Sequence, residues 1–133
     1  MKNCVFCHAI TAEQICMETE NFRVILDIDP IQTGHLLILS KNHIMDRREL
    51  MAQQFMELMN LEKTLIEKLE QHFDVRNVSI IQNNGPIMDE GTHFHVHVIP
   101  RYVDDRFWDN QQVKAYALPV DELRERLRKG DGR

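Results

Sequence analysis

The sequence predicts an α+β fold, with a mainly antiparallel sheet, one long helix and a short helix near the C-terminal end. Strand-like segments occur in adjacent groups on either side of a single helical segment, and they do not alternate with helices as in parallel α/β folds. The 133 residues contain no repeat, low-complexity segment or linker, and they match the size of one domain. We therefore expect a single domain over residues 1–133.

The first strands are indicated by short apolar segments beside turn residues. Phe22–Asp27 reads as a strand that ends at Asp29 and Pro30. Leu36–Leu39 follows Gly34 and is continuously apolar. That pattern is typical of a strand covered on both faces.

The long helix is predicted by apolar residues at helical spacing. Asp46 and Glu49 have the form of a capping box at its start. The apolar positions that share one face are Met51, Phe55, Leu58, Leu65 and Leu69. The sequence therefore predicts one amphipathic helix over about residues 47–72.

Two more strands follow this helix. Asn77–Gln82 reads as a strand stopped by the turn residues 83–86. After it, three histidines occupy every second position, and Pro100 closes the run. Because a strand alternates its side chains, His93, His95 and His97 should share one face, while Phe94, Val96 and Val98 face the core.

A short helix is predicted near the C-terminus. Pro119 and the acidic pair Asp121 and Glu122 are typical of a helix start, and the basic residues 128–129 followed by a glycine are typical of an end. Leu123 and Leu127 lie one turn apart, so the helix should pack on the sheet or on a partner chain.

Composition excludes several classes of protein. The net charge of -5, from 21 acidic and 16 basic residues, disfavours a nucleic-acid binder. There is no apolar run of membrane-spanning length and no signal peptide at the start, so we expect a cytoplasmic protein without a membrane partner. Three cysteines disfavour a disulfide framework, which leaves metal or redox chemistry for the pair Cys4 and Cys7.

A zinc site is one interpretation of this pair, because two thiolates with this spacing commonly supply half of a tetrahedral shell. The Cα atoms of His93 and His97 should lie about 13 Å apart along a strand, so all three histidines cannot bind one ion. Two neighbouring members could bind it, or one member together with His43 or His35. Spacing alone leaves this choice open.

The motifs together resemble the histidine triad (HIT) superfamily of nucleotidyl hydrolases and transferases. The matching segments are Cys4–Cys7, Leu26–Pro30 with Gly34–Ile38, Lys41–His43, and the histidine run His93–Arg101. The resemblance implies a single HIT-like domain, a nucleotide substrate with a purine base, and a homodimer, for which an apolar strand edge and the long helix offer surfaces.

The resemblance also implies roles for individual residues. His95 would attack the α-phosphorus of a nucleoside phosphoramidate, dinucleoside polyphosphate or acyl-adenylate and form a covalent nucleotidyl-histidine. His97 would donate a proton to the leaving group. In the zinc-binding branch, a structural zinc would be bound by four protein ligands, which here are Cys4, Cys7, His43 and His93.

The substrate-binding residues implied by the family are Asp27 for the ribose hydroxyls, Asn83 for phosphate and Thr92 as a hydroxyl donor. The segment Met88–Thr92 departs from the family pattern of Gly-Gln-Ser/Thr-Val, and it places two carboxylates next to the phosphate site.

Two alternatives remain open. His93 and His95 could both bind a zinc ion that activates water, or the chain could be a nucleotide-binding module without catalysis. We expect His35 to bond the backbone near the sheet and to have no catalytic role.

Overall fold

A computed structural model describes residues 3–129. In this range one sheet contains five strands in the order β1-β2-β3-β5-β4, and every neighbouring pair is antiparallel. The strands are β1 (Ile15–Glu18), β2 (Phe22–Leu26), β3 (Leu36–Ser40), β4 (Asn77–Gln82) and β5 (His95–Arg101), and the helices are α1 (Val5–His8), α2 (Ala52–His72) and α3 (Val120–Arg128). The predicted α+β architecture is confirmed.

The sheet is covered on both faces near β3. Leu36 and Ile38 belong to the main core, which α2 closes through Leu58, Leu61 and Leu65. On the opposite face, Leu37 and Leu39 form a second cluster with Cys4, Phe6 and Ile25. This double burial explains the uninterrupted apolar sequence of β3.

The long helix begins later than predicted, at Ala52 instead of residue 47. Asp46 does act as a cap, but it caps a separate 3-10 turn, Arg47–Glu49, through a hydrogen bond from the Arg48 backbone N–H. Leu50 then adopts an extended conformation and is buried, so the chain must restart its helix after Met51.

The histidine strand also differs from the prediction, in which it included His93 and was closed by Pro100. It begins at His95, because the Phe94 backbone N–H donates to the carbonyl of Ile44 instead of to the sheet. Pro100 lies inside the strand and is paired with Val78 of β4. The pairing of β5 with β3 ends at Val98, so no residue of β3 lies opposite Pro100. The predicted alternation holds, since Phe94, Val96 and Val98 all lie in the main core.

The C-terminal part of the described chain stands away from the body. Every residue from 108 to 129 is exposed, α3 included. The prediction that α3 packs on the sheet is therefore wrong, and packing on a partner chain stays a prediction. Over residues 3–129, none of the helices combines the length and apolar character needed to span a membrane.

Candidate active site

The two cysteines and two of the histidines converge at one end of β5. Cys4 Sγ lies 3.2 Å from His93 Nδ1, and Cys7 Sγ lies 3.2 Å from His43 Nδ1 and 3.5 Å from His93 Nδ1. One donor atom from each of the four residues lies within 4.8 Å of the others. The structure thus brings together all four residues predicted to bind metal.

A glycine allows the N-terminal segment to reach this cluster. The Val5 backbone N–H donates to the carbonyl of Gly91 at 2.8 Å, which ties the cysteine turn to the residues before His93. Gly91 has a φ of +83°, and a Cβ there would lie 3.0 Å from the Asn3 carbonyl. Any larger residue would strain the backbone and push the cysteines away from His93.

The donor chemistry of this cluster fits zinc. His93 Nε2 lies 2.7 Å from the Ser40 carbonyl, which can only accept, so the proton sits on Nε2 and the lone pair of Nδ1 faces the sulfurs. A tetrahedral zinc would hold sulfur and nitrogen ligands about 3.6 Å apart, close to the separations found here. Burial, and then the neighbouring Cys4 thiol, raise the pKa of Cys7, so the Cys7 thiol ionises less readily than a free thiol when no cation is near.

His95 has a defined tautomer. Its Nδ1 lies 2.7 Å from the carbonyl of His93, so Nδ1 carries the proton and the neutral ring leaves the lone pair on Nε2. The ring is nearly fully buried, and Phe6 contacts it edge-on with ring centroids 5.2 Å apart. His95 therefore offers one oriented nucleophilic nitrogen.

A second histidine pair lies beside His95. The Ile31 backbone N–H donates to His35 Nδ1 at 3.1 Å, so the proton of a neutral His35 sits on Nε2. That Nε2 lies 2.9 Å from His97 Nδ1 and donates to it. The proton of a neutral His97 must then sit on its Nε2. His95 and His97 therefore differ at Nε2. This nitrogen has a lone pair in His95 and carries a proton in His97.

Burial keeps this pair neutral. It lowers the pKa of His97 to about 4, assisted by the nearby His95 and His35 rings and opposed by the carboxylates of Asp27 and Asp89. Burial also lowers the pKa of His35. Both rings are uncharged at neutral pH, as the hydrogen-bond chain from Ile31 requires.

The predicted role of His35 was incomplete. His35 does bond the backbone near the sheet, as predicted, but its other nitrogen bonds His97. The sequence carries no local signal for this bond, which follows from strand register: His35 lies two residues before Leu37, and Leu37 pairs with His97. Residues at this spacing share a face of the sheet.

Two of the three predicted substrate-binding residues, Asp27 and Asn83, lie beside these rings. Asp27 Oδ1 accepts from the Asp29 N–H at 2.9 Å, and its Oδ2 lies 3.4 Å from His35 Nδ1. Asn83 follows the last pair of β4 and β5, and the register places it across from His95. The Thr92 hydroxyl donates to the Asp89 carbonyl at 2.6 Å, so it can donate to a phosphate only after this bond breaks.

Comparisons with known proteins agree on one family. The HIT domain family model matches residues 10–104, well over half of the chain. A HIT-like protein of Methanocaldococcus jannaschii is 34% identical over 107 residues, covering 77% of this chain and 81% of that protein. The adenosine 5'-monophosphoramidase hnt1 of Schizosaccharomyces pombe is 29% identical over 103 residues, covering 74% of each.

One solved structure with a bound metal is also similar. It is a zinc-bound histidine triad family protein from Mycobacterium smegmatis, 26% identical, with a TM-score of 0.67. The match covers 91% of this chain and 88% of that one.

Proposed function

The chain belongs to the HIT domain family, and on this basis we propose that it is a nucleotide hydrolase or nucleotidyl transferase acting at the α-phosphorus through a covalent nucleotidyl-histidine. The observation that carries the proposal is the opposite protonation of two adjacent rings. His95 has its lone pair on Nε2, while His97 has an N–H at the same position. Displacement at phosphorus needs a nucleophilic atom with a lone pair, and a poor leaving group such as an amine also needs a proton donor.

In the first step, Nε2 of His95 attacks the α-phosphorus, and the bond from phosphorus to the leaving group breaks as the new P–N bond forms. The bound phosphoryl anion raises the pKa of His97, so that ring takes up a proton with the substrate. His97 then passes its Nε2 proton to the leaving atom. The products are a nucleotidyl-His95 and the protonated leaving group.

In the second step, water or another acceptor attacks the phosphorus and the P–N bond to His95 breaks. His97, now neutral at Nε2, accepts the proton of the attacking group. When the product leaves, the proton that His97 took up with the substrate is released, and the resting hydrogen bond from His35 Nε2 to His97 Nδ1 forms again.

We propose adenosine nucleotides as substrates, with phosphoramidates first among them. The support is the similarity to the monophosphoramidase of S. pombe. Asp27 would hold the ribose hydroxyls through a carboxylate oxygen, Asn83 would contact the phosphate beside His95, and Thr92 would be a further donor to it. Dinucleoside polyphosphates and acyl-adenylates are the other classes that the same step would cleave.

We further propose a structural zinc bound by Cys4, Cys7, His43 and His93. The convergence of the four donor atoms supports it, as does the similarity to a zinc-bound family member. Zinc would fix the N-terminal turn against β5 and thereby place Phe6 against the ring of His95. A four-ligand shell leaves no position for water, so the zinc would have no part in the chemical steps.

The geometry gives less support to a zinc-activated water. That alternative requires His93 and His95 to bind one ion, yet His95 uses Nδ1 to donate to the His93 carbonyl. Among the described residues, the cluster consists of Cys4, Cys7, His43 and His93, and Nε2 of His95 is not part of it.

We propose a homodimer as well. The long helix α2 exposes Met56 and Met59, and the edge strand β4 exposes Ile80. Methionine side chains on an exposed helix face are typical of an interaction surface.

The direct test of function is His95→Ala, measured for turnover of an adenosine phosphoramidate. We expect kcat to fall by at least about 10³-fold, because the attacking atom is gone. Circular dichroism and zinc content should match the parent protein, and His8→Ala, at an exposed position, should retain activity. Unchanged turnover in folded His95→Ala protein would refute the mechanism.

Nucleotide binding without turnover in the parent protein would instead support the non-catalytic alternative.

A further inference from the structure

The loop between β4 and β5 places a carboxylate at a fixed position shortly before the histidine strand. Asp89 lies in the segment Met88–Thr92, and its backbone carbonyl accepts from the Thr92 N–H at 3.3 Å and from the Thr92 hydroxyl at 2.6 Å. The side chain of Met88, the preceding residue, is buried. These contacts hold the backbone on both sides of Asp89.

The side chain of Asp89 has no part in holding this loop. Asp89 is exposed, and among residues 3–129 it takes part in hydrogen bonds only through its carbonyl. No ion pair within that range includes it. Since exposed side chains without such bonds contribute little to stability, the charge of Asp89 is not required by the fold.

The charges around the half-buried ring of His97 are of one sign. Burial lowers the pKa of His97, while the carboxylates of Asp27 and Asp89 raise it. Within residues 3–129, no lysine or arginine is among the main groups that shift the pKa of His97, His35 or His93. The described part of the site is therefore negative beside the proposed proton donor.

The leaving group would meet this negative charge. In the proposed mechanism the departing atom takes its proton from His97 Nε2, so the rest of the leaving group extends past that ring. A leaving group made of phosphates would bring further negative charge, which the carboxylate of Asp89 repels. A leaving amine with a second, cationic nitrogen would instead be attracted.

We infer that Asp89 selects the leaving group by charge, and that the preferred substrates are adenosine phosphoramidates of amines that carry a second, cationic group. The inference rests on the proposed function and specifies the leaving group. Asp27 is the carboxylate proposed for the ribose hydroxyls, which leaves Asp89 for this role. A phosphoramidate of a simple amine has one negative charge, and that of a diamine has no net charge, whereas each further phosphate in a dinucleoside polyphosphate adds one negative charge.

Three substrates with leaving groups of similar length test this inference. They are the adenosine phosphoramidates of diaminopropane, propylamine and β-alanine, whose leaving amines end in an ammonium, a methyl group and a carboxylate. We measure kcat/KM for each at neutral pH and low salt, without added Mg²⁺. We expect the cationic substrate to exceed the anionic one by at least about tenfold, and added salt to reduce this ratio because exposed charges are screened.

Substitutions at Asp89 should change this ratio. Asp89→Asn removes the charge and retains the backbone carbonyl that Thr92 bonds, so the loop should keep its fold. We expect the ratio of the cationic to the anionic substrate to fall below about threefold, and Asp89→Lys should reverse the order.

The matched control is Glu90→Gln, which removes the same charge from the next residue. Glu90 is also exposed, but it is not among the main groups that shift the pKa of His97. This variant should keep the substrate ratio within about twofold of the parent value.

Two results would overturn the inference and leave the proposed function intact. One is the same substrate ratio in Asp89→Asn as in the parent protein. The other is a preference for the anionic substrate that appears only with Mg²⁺ and is lost in Asp89→Asn, which would show that Asp89 binds a divalent cation. Absence of turnover with all three substrates, or turnover that survives in His95→Ala, would overturn the proposed function and this inference with it.

Discussion

The ring nitrogens of His35 and His97 lie 2.9 Å apart, although 62 positions separate the residues in the sequence. His35 is almost completely buried, and its second nitrogen accepts from the Ile31 backbone. The backbone of the β2–β3 connection thereby determines which nitrogen of His97 carries the proton in the resting protein.

The first prediction concerns His35 as a positioning residue. His35→Leu leaves His97 Nδ1 without its donor, so the His97 proton is no longer held on Nε2. We expect kcat to fall about 10- to 100-fold with little change in KM, a part of the 10²- to 10⁴-fold that a general acid typically contributes. His35→Asn, which retains an N–H donor, should lose less. Wild-type kcat in folded His35→Leu protein would contradict this role.

The second prediction concerns stability against pH. The pKa of His97 is about 4 in the folded protein and about 6.5 in the unfolded chain, so the unfolded chain binds more protons between these values. The free energy of unfolding should therefore decrease as pH falls from about 6.5 to 4, by on the order of 1–3 kcal/mol. Burial lowers the pKa values of His35 and His93 as well, which adds to the same trend.

Urea unfolding at several pH values and constant ionic strength measures this trend. His97→Gln should flatten it, while His72→Gln, at an exposed position, should leave it unchanged. Stability that rises as the solution is acidified through this window would contradict the buried neutral state of His97.

The third prediction concerns zinc. Purified protein should contain one zinc per chain, and Cys4→Ser or Cys7→Ser should lose it. The apparent Tm should then fall by on the order of 10 °C, because metal binding to the folded state alone stabilises it by several kcal/mol. Cys16→Ser is the matched control, since this exposed cysteine lies outside the cluster.

Chelation distinguishes a structural zinc from a catalytic one. Brief treatment with a chelator should leave initial turnover unchanged while lowering the Tm, because a zinc ion bound by Cys4, Cys7, His43 and His93 would not contact the reacting atoms. Immediate loss of turnover in a protein that is still folded would favour the zinc-activated water.

The fourth prediction concerns Asp27. In Asp27→Asn the amide oxygen can still accept from the Asp29 N–H, so the turn is retained, but the negative charge is lost. We expect kcat/KM for a ribonucleotide substrate to fall about 10- to 100-fold, the effect of one or two charge-assisted hydrogen bonds. A 2′,3′-dideoxy substrate should change less than about threefold. An equal loss for both substrates would argue against ribose binding by Asp27.

Much of the fold follows from local patterns in the sequence. The alternation along β5 identified which residues face the core, and the apolar run of β3 identified a strand buried on both faces. The missed strand β1 is short, only partly buried and at the edge of the sheet, so its pattern is weak. The predicted start of α2 was wrong because Leu50 is extended, which separates the turn at Arg47–Glu49 from the helix. The apolar spacing in the sequence shows no such break.

The site was less accessible from sequence. The spacing of Cys4 and Cys7 indicates a metal site, but it does not select His93 and His43 over other histidines, and that choice came from the family resemblance. The link between His35 and His97 depends on strand register and on the direction of one backbone N–H, which no local pattern encodes. Protonation states likewise follow from hydrogen-bond partners that only the fold brings together.

Mass spectrometry of the protein quenched during turnover of an adenosine phosphoramidate tests directly whether a covalent nucleotidyl-histidine forms. Quenching in neutral denaturant preserves the acid-labile P–N bond. We expect a mass increase of one adenylyl group per chain, which fragmentation places on His95 and which is absent from His95→Ala. Steady turnover with no adduct in rapidly quenched samples, or an adduct that persists in His95→Ala, would contradict it.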